Sequence, residues 1–197
     1  MLAPAARAHT LLRAVTAFIA LAAFSPPPVF ALDRPQLVIL VRHAEKAAAP
    51  KGDVALSDEG LLRAESLAAA LADARVDAIV TTQFRRTRET AAPLARNRHL
   101  TPVVVPTADN VEAHARAVAE AVRRLGPVVL VVDHSDTIPA IIHALGGPRL
   151  PPLCDVQYGQ LFTLLTMARE PPRLLRSTYG APDPPVPSDC SGTMMTR

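Results

Sequence analysis

Two uninterrupted apolar runs constrain this chain more than any other feature of it. Residues 37–41 read Leu-Val-Ile-Leu-Val and residues 128–132 read Val-Val-Leu-Val-Val. Short runs rich in β-branched side chains fit strands buried on both faces. Each run stops at a polar pair that contains histidine: Arg42-His43 after the first, Asp133-His134 after the second. Open parallel sheets bind ligands at the carboxyl ends of their strands. Both histidines are therefore expected on one sheet edge, across a common cleft. Either pair alone reads as an ordinary strand end; the recurrence points to a site.

The intervening sequence alternates helical and strand patterns. Ser57 is a good helix cap, with Asp58 and Glu59 in the first turn. Leu61, Ala64, Leu67, Ala68 and Leu71 follow at helical spacing and predict a buried face. A strand is expected at 76–80, a helix from Arg85 that Pro93 ends or kinks, and a strand at 102–105. Asp109 is expected to cap a helix that buries Val111, Ala115, Val118, Val122 and Leu125. Gly126-Pro127 stops it. A helix over 138–145 and strands at 160–165 and 173–177 complete the pattern. The fold class this predicts is α/β, a three-layer sandwich with a mostly parallel central sheet flanked by helices.

The two ends lie outside that pattern. Arg7, His9 and Arg13 precede an 11-residue apolar run at 14–24, Ser25-Pro26-Pro27-Pro28 breaks it, and Val29-Phe30-Ala31 offers a cleavage site. This predicts a signal peptide over 1–31, cleaved after Ala31, and a periplasmic or secreted protein. An uncleaved anchor is the competing reading. The folded domain is expected over 32–180. From Ala181 to residue 197 the proline density predicts a disordered tail. Cleavage removes Arg7 and Arg13, so the formal charge falls from +3 to +1. That balance, with only Phe84, Tyr158, Phe162 and Tyr179 left as aromatics, argues against a nucleic-acid partner. No later segment is long enough to hold the mature chain in a membrane. Cys154 and Cys190 can pair in an oxidising compartment, but their spacing does not decide it.

Arg86 opens the helix after the second strand, so it starts on the same edge as the histidines. Two histidines and two arginines suit an anion. Guanidinium groups match phosphate oxygens in a bidentate fork. A zinc site would want three protein ligands and would be opposed by the arginines.

Four motifs then stand in order: Val41-Arg42-His43-Ala44-Glu45; Leu56-Ser57-x-x-Gly60; Thr82-x-Phe84-x-Arg86-Thr87-x-x-Thr90-Ala91; and Val131-Val132-x-His134-Ser135. Together they resemble the histidine phosphatase superfamily, in its phosphoglycerate mutase-like branch 1, and its exported members most. The resemblance implies a phosphoglycerate mutase-like fold and hydrolysis of a phosphomonoester through phosphohistidine on His43. Arg42, Arg86 and His134 would hold the phosphate oxygens, with Ser135 beside them. No metal ion or other cofactor is implied, because the cationic side chains supply the electrostatics. The partner would be a phosphorylated small molecule.

The general acid stays open between Glu112, Asp109 and Asp133. The superfamily often carries a Glu at about the place of Glu112, yet Asp109-x-x-Glu112 also reads as a helix cap. Asp133 departs from the small residue usual before the second histidine; it would raise the pKa of His134, serve as the acid, or repel phosphate. His99, His114 and His143 match no motif and are expected on the surface or in the core. Two alternatives remain: a phospholigand-binding protein without turnover, and a phosphomutase, for which residues 91–128 leave little room for a lid.

Overall fold

The structure is a computed structural model that describes residues 35–49, 52–187 and 190. The expected signal peptide and cleavage site lie outside those residues. The described residues form six strands and four helices: β1 (Gln36–Arg42), α1 (Asp58–Ala70), β2 (Ala78–Thr81), α2 (Arg85–Arg98), β3 (Val103–Val104), α3 (Val111–Arg123), β4 (Val128–Asp133), α4 (Thr137–Ala144), β5 (Gln160–Met167) and β6 (Glu170–Thr178). One mixed sheet carries all six strands in the order β3-β2-β4-β1-β5-β6. The β1–β4, β2–β4 and β2–β3 pairs are parallel. The β1–β5 and β5–β6 pairs are antiparallel.

Alternation along the two apolar runs builds the layers. Val38, Leu40, Val129 and Val131 pack with Ala115, Val118 and Val122 of α3 and Ile138, Ile141 and Ile142 of α4. Ile39, Val41, Leu130 and Val132 point the other way, onto Leu67 and Ala68 of α1 and Ala91 and Leu94 of α2. Side chains alternate across a strand, so a continuous apolar run is what a strand covered on both faces needs.

Several local expectations change. Leu61 is half exposed, at 49 %, because the inward stripe of α1 runs through Gly60, Ala64, Leu67 and Ala68. Pro93 does not end α2, which continues to Arg98 and closes on His99 in the left-handed region at φ 54°. Proline removes one helical N–H, and the buried Ala91, Leu94 and Ala95 hold the helix across that gap. Asn110, not Asp109, caps α3, accepting from the Ala113 N–H at 2.8 Å. The strand expected over 102–105 is only two residues long and exposed. The start of the expected tail is anchored: Asp183 accepts from the Tyr158 and Gly159 N–H groups, and Cys190 is disulfide-bonded to Cys154.

Gly60 shows why the second motif has its form. A Cβ there would overlap the carbonyl oxygen of Glu45. The Ser57 N–H also donates to that oxygen, at 2.9 Å. The N-terminus of α1 is thereby seated on the loop that follows His43, and Gly60→Ala is expected to push that loop out. Its effect shows as a lower urea midpoint in protein that still gives a helical circular-dichroism spectrum.

Candidate active site

β1 and β4 are parallel neighbours, with Arg42 opposite Asp133. The His43 N–H donates to the Asp133 carbonyl at 2.8 Å. The two histidines therefore leave adjacent strand ends together, and their ring centroids lie 5.4 Å apart. The convergence expected from the sequence is present. α2 begins on the same edge. Its first turn is capped from a distance, by Asp53 accepting from the Arg85 N–H at 2.7 Å. Arg86 lies over Phe84, 4.3 Å from the ring centre, and Phe84 meets His134 edge-on.

His43 is buried, at 1 % exposure. Its Nδ1 lies 2.8 Å from the Ala44 carbonyl oxygen, which only accepts, so in the neutral ring Nδ1 carries the proton. The lone pair then resides on Nε2, the arrangement a nucleophilic imidazole needs. The loop is fixed by the third motif: the Ala44 N–H donates to Thr90 Oγ1 at 2.9 Å. Thr82 Oγ1 lies 3.3 Å from His134 Nε2 and 2.9 Å from Thr87 Oγ1. The threonines of that motif therefore orient both histidines.

Arg42 has no exposed surface. Its Nη1 donates to the Cys154 and Asp155 carbonyls at 2.9 and 3.0 Å. Tyr158 covers its face, 4.1 Å from the guanidinium carbon to the ring centre. Nε and Nη2 are buried and make no hydrogen bond, although Nη2 lies 3.7 Å from the Asp155 carboxylate. Buried donors without acceptors cost free energy, which an anion would offset.

Asp133 is fully buried, and both its oxygens are occupied. Oδ1 accepts from Thr137 Oγ1 at 2.6 Å and from the His134 N–H at 3.0 Å. Oδ2 lies 2.9 Å from Nε2 of His114, whose Nδ1 faces the Pro106 carbonyl at 3.2 Å. Both carboxylate oxygens of Asp133 are thus engaged by side chains of α3 and α4. His114, which no motif singled out, is the contributor that sequence reasoning missed. The signal was there: it falls three residues after Val111 and four before Val118, on the buried stripe of α3.

Glu112 is exposed on the first turn of α3, and its side chain forms no hydrogen bond or ion pair among the described residues. Ser135 is buried beside His134; its carbonyl accepts from the Leu153 N–H. Among the described residues its hydroxyl makes no hydrogen bond. Among the described residues there is also no group of three or more His, Cys, Asp or Glu able to hold a metal ion. No helix described is long and apolar enough to cross a membrane.

Burial, then the nearby His134 and Arg42, hold the pKa of His43 well below the ordinary histidine range. Burial also lowers that of His134, to about 4, with Asp133 opposing and Arg86 reinforcing. Unfolded, both rings take up protons as pH falls through about 6.5. Folded, they resist until lower pH. The unfolded chain then binds more protons, so stability declines as pH drops below that value. Between about 6.5 and about 4, His134 alone contributes a loss of about 3 kcal/mol. Urea titrations at about pH 7.5 and about pH 4.5 are expected to show the lower midpoint in acid, with His134→Gln narrowing the gap. Identical pH dependence in that variant would contradict it.

Comparison with known proteins bears on this geometry. Residues 38–115 match the model of the histidine phosphatase superfamily (branch 1). That span holds the first three motifs; His134 lies beyond it. No curated protein matches the chain. A crystal structure of a candidate phosphohistidine phosphatase, SixA of Agrobacterium tumefaciens, shares 25 % identity at a TM-score of 0.53, over 75 % of this chain and 99 % of that one. The protein histidine phosphatase SixA complexed with tungstate is 15 % identical, with a TM-score of 0.56 over 73 % and 97 % of the two chains. A mycobacterial glucosyl-3-phosphoglycerate phosphatase is 17 % identical, with a TM-score of 0.55 over 76 % and 100 %. At these identities the last two show the shared fold alone. The family whose model the chain matches is the one its four motifs resemble, the histidine phosphatase superfamily (branch 1).

Proposed function

We propose that this protein is a phosphatase that hydrolyses a phosphomonoester through a phosphohistidine on His43. The observation that carries this reading is the imidazole pair 5.4 Å apart beside a buried guanidinium whose Nε and Nη2 have no hydrogen-bond partner. His43 Nε2 attacks phosphorus; the bond to the leaving oxygen breaks as the phosphorus–nitrogen bond forms. Arg42 and Arg86 balance charge on the equatorial oxygens, the His134 ring hydrogen-bonds to one of them, and water then cleaves the phosphohistidine. Cationic side chains carry the electrostatics, so turnover is expected to persist in chelator. A panel of phosphate esters assayed with and without chelator tests this; turnover restored only by added metal would defeat it.

A second reading, a phospholigand-binding protein without turnover, is favoured by one observation. Both oxygens of Asp133 are occupied, so it is not a ready proton donor to a leaving alcohol. Tight binding of inorganic phosphate with no product from any ester would favour it. The export reading rests on residues 1–31 and is in keeping with a Cys154–Cys190 bridge. N-terminal sequencing of exported protein is expected to begin at Leu32.

A further inference from the structure

The geometry points to the Cys154–Cys190 disulfide as the positioning device for Arg42: the bridge and the segment that carries it set how tightly the site holds phosphate, and reducing the bridge weakens that hold. The inference rests on the phosphatase reading of the same site.

Arg42 is held from outside its own strand. Its Nη1 donates to the carbonyls of Cys154 and Asp155, with Gln157 O at 3.5 Å. Tyr158 stacks on its face. All four residues belong to the turn before β5. That turn is fastened at both ends by the chain after β6. At one end Cys154 is bonded covalently to Cys190, their Cα atoms 5.9 Å apart. At the other, Asp183 accepts from the Tyr158 N–H at 3.0 Å and the Gly159 N–H at 2.8 Å.

Arg63 ties the strap to the first motif. It donates to both oxygens of Glu45, at 2.8 and 3.0 Å, and to the Ala181 carbonyl at 2.9 Å. It also lies 3.5 Å from the Asp183 carboxylate. The strap therefore bridges the His43 loop and the turn that aims Arg42.

Cys154 is buried while Cys190 is half-buried, so a dithiol reaches the sulfur of Cys190 first. Its thiolate attacks there and Cys154 leaves as a thiolate. The second thiol of the reagent then closes a ring on the mixed disulfide, giving an oxidised cyclic reagent and two protein thiols. The turn keeps its internal bonds, Gln157 N–H to Cys154 O at 2.9 Å and Cys154 N–H to Gln157 Oε1 at 2.8 Å. Reduction therefore loosens Arg42 rather than removing it. Arg42 grips phosphate in the bound ester as well as during transfer, so the loss falls mainly on KM.

The full chain is assayed oxidised, reduced with dithiothreitol, and re-oxidised, with p-nitrophenyl phosphate for turnover and inorganic phosphate for affinity. The chain has no Trp and two Tyr, so a Tyr179→Phe background makes tyrosine fluorescence report on Tyr158. Tyr179 suits that exchange, since its buried hydroxyl has no partner. On reduction, KM and the phosphate dissociation constant are expected to rise about tenfold, the scale of one charge-assisted hydrogen bond, with kcat changing less. The Tyr158 signal shifts in step, and re-oxidation restores all three. Cys154→Ser with Cys190→Ser fixes the reduced values and removes the response to reductant. Unchanged phosphate affinity and Tyr158 signal, in protein shown by thiol titration to be reduced, overturn the inference. Oxidised protein that neither binds phosphate nor turns over ester overturns the phosphatase reading instead, and the Tyr158 signal then decides the strap by itself.

Discussion

His43→Ala is expected to abolish turnover and the phosphoryl adduct together. Its Nε2 is the lone pair that the structure prepares: the proton sits on Nδ1 against the Ala44 carbonyl, and burial keeps the ring neutral. Removing a covalent nucleophile leaves only binding and charge stabilisation, so kcat should fall by at least about 10⁴-fold. Arg42 and Arg86 remain, and phosphate affinity should change little. His134→Ala is the informative contrast. Its Nε2 faces the Thr82 hydroxyl, which suits it to holding an oxygen. Its loss should be nearer 10²–10³-fold, roughly that of one transition-state donor. An alkaline quench of enzyme with radiolabelled ester separates the roles, because phosphohistidine survives base. An adduct that persists in His43→Ala and vanishes in His134→Ala would exchange the two assignments.

His114→Ala is expected to destabilise the fold by about 3–5 kcal/mol, the usual effect of stranding one member of a buried charged pair. His114 and Asp133 are both fully buried and meet at 2.9 Å. Without the imidazole, Asp133 Oδ2 loses its partner while the residue stays fully buried. Asp133→Asn in the same chain should recover much of the loss, since an amide needs no counter-charge. Urea midpoints for the two single variants and the double variant form a thermodynamic cycle. Additive effects would show that the residues do not act as a pair. Since Asp133 also fixes the His134 N–H, both variants should lower activity beyond any loss of folded protein.

What the sequence made legible was what depends on one strand or one helix at a time. Buried strand ends, motif order and helical stripes are enough to place His43, His134, Arg42 and Arg86 on one edge. The missed features are pairings between segments far apart in the chain. Nothing local to His114 announces Asp133, and nothing local to Arg42 announces the carbonyls of Cys154 and Asp155. Arg63, which no motif singles out, reaches Glu45 and Ala181 because α1 lies against the His43 loop. Asp109 and Asn110 are adjacent, and both are good capping residues. Composition does not choose between them; the extended backbone at Asn110 does, at φ −141° and ψ 160°.

The outermost strands bear on how such a chain survives at high concentration. An unpaired strand edge is a template for unwanted association between molecules. One border of this sheet, β3, is two residues long. The other, β6, begins Glu170-Pro171-Pro172-Arg173, and proline has no N–H to offer an incoming strand. Arg176 adds a second positive charge to that border. Neither border offers a long, uncharged ribbon, so the sheet resists growth into fibrils by strand addition.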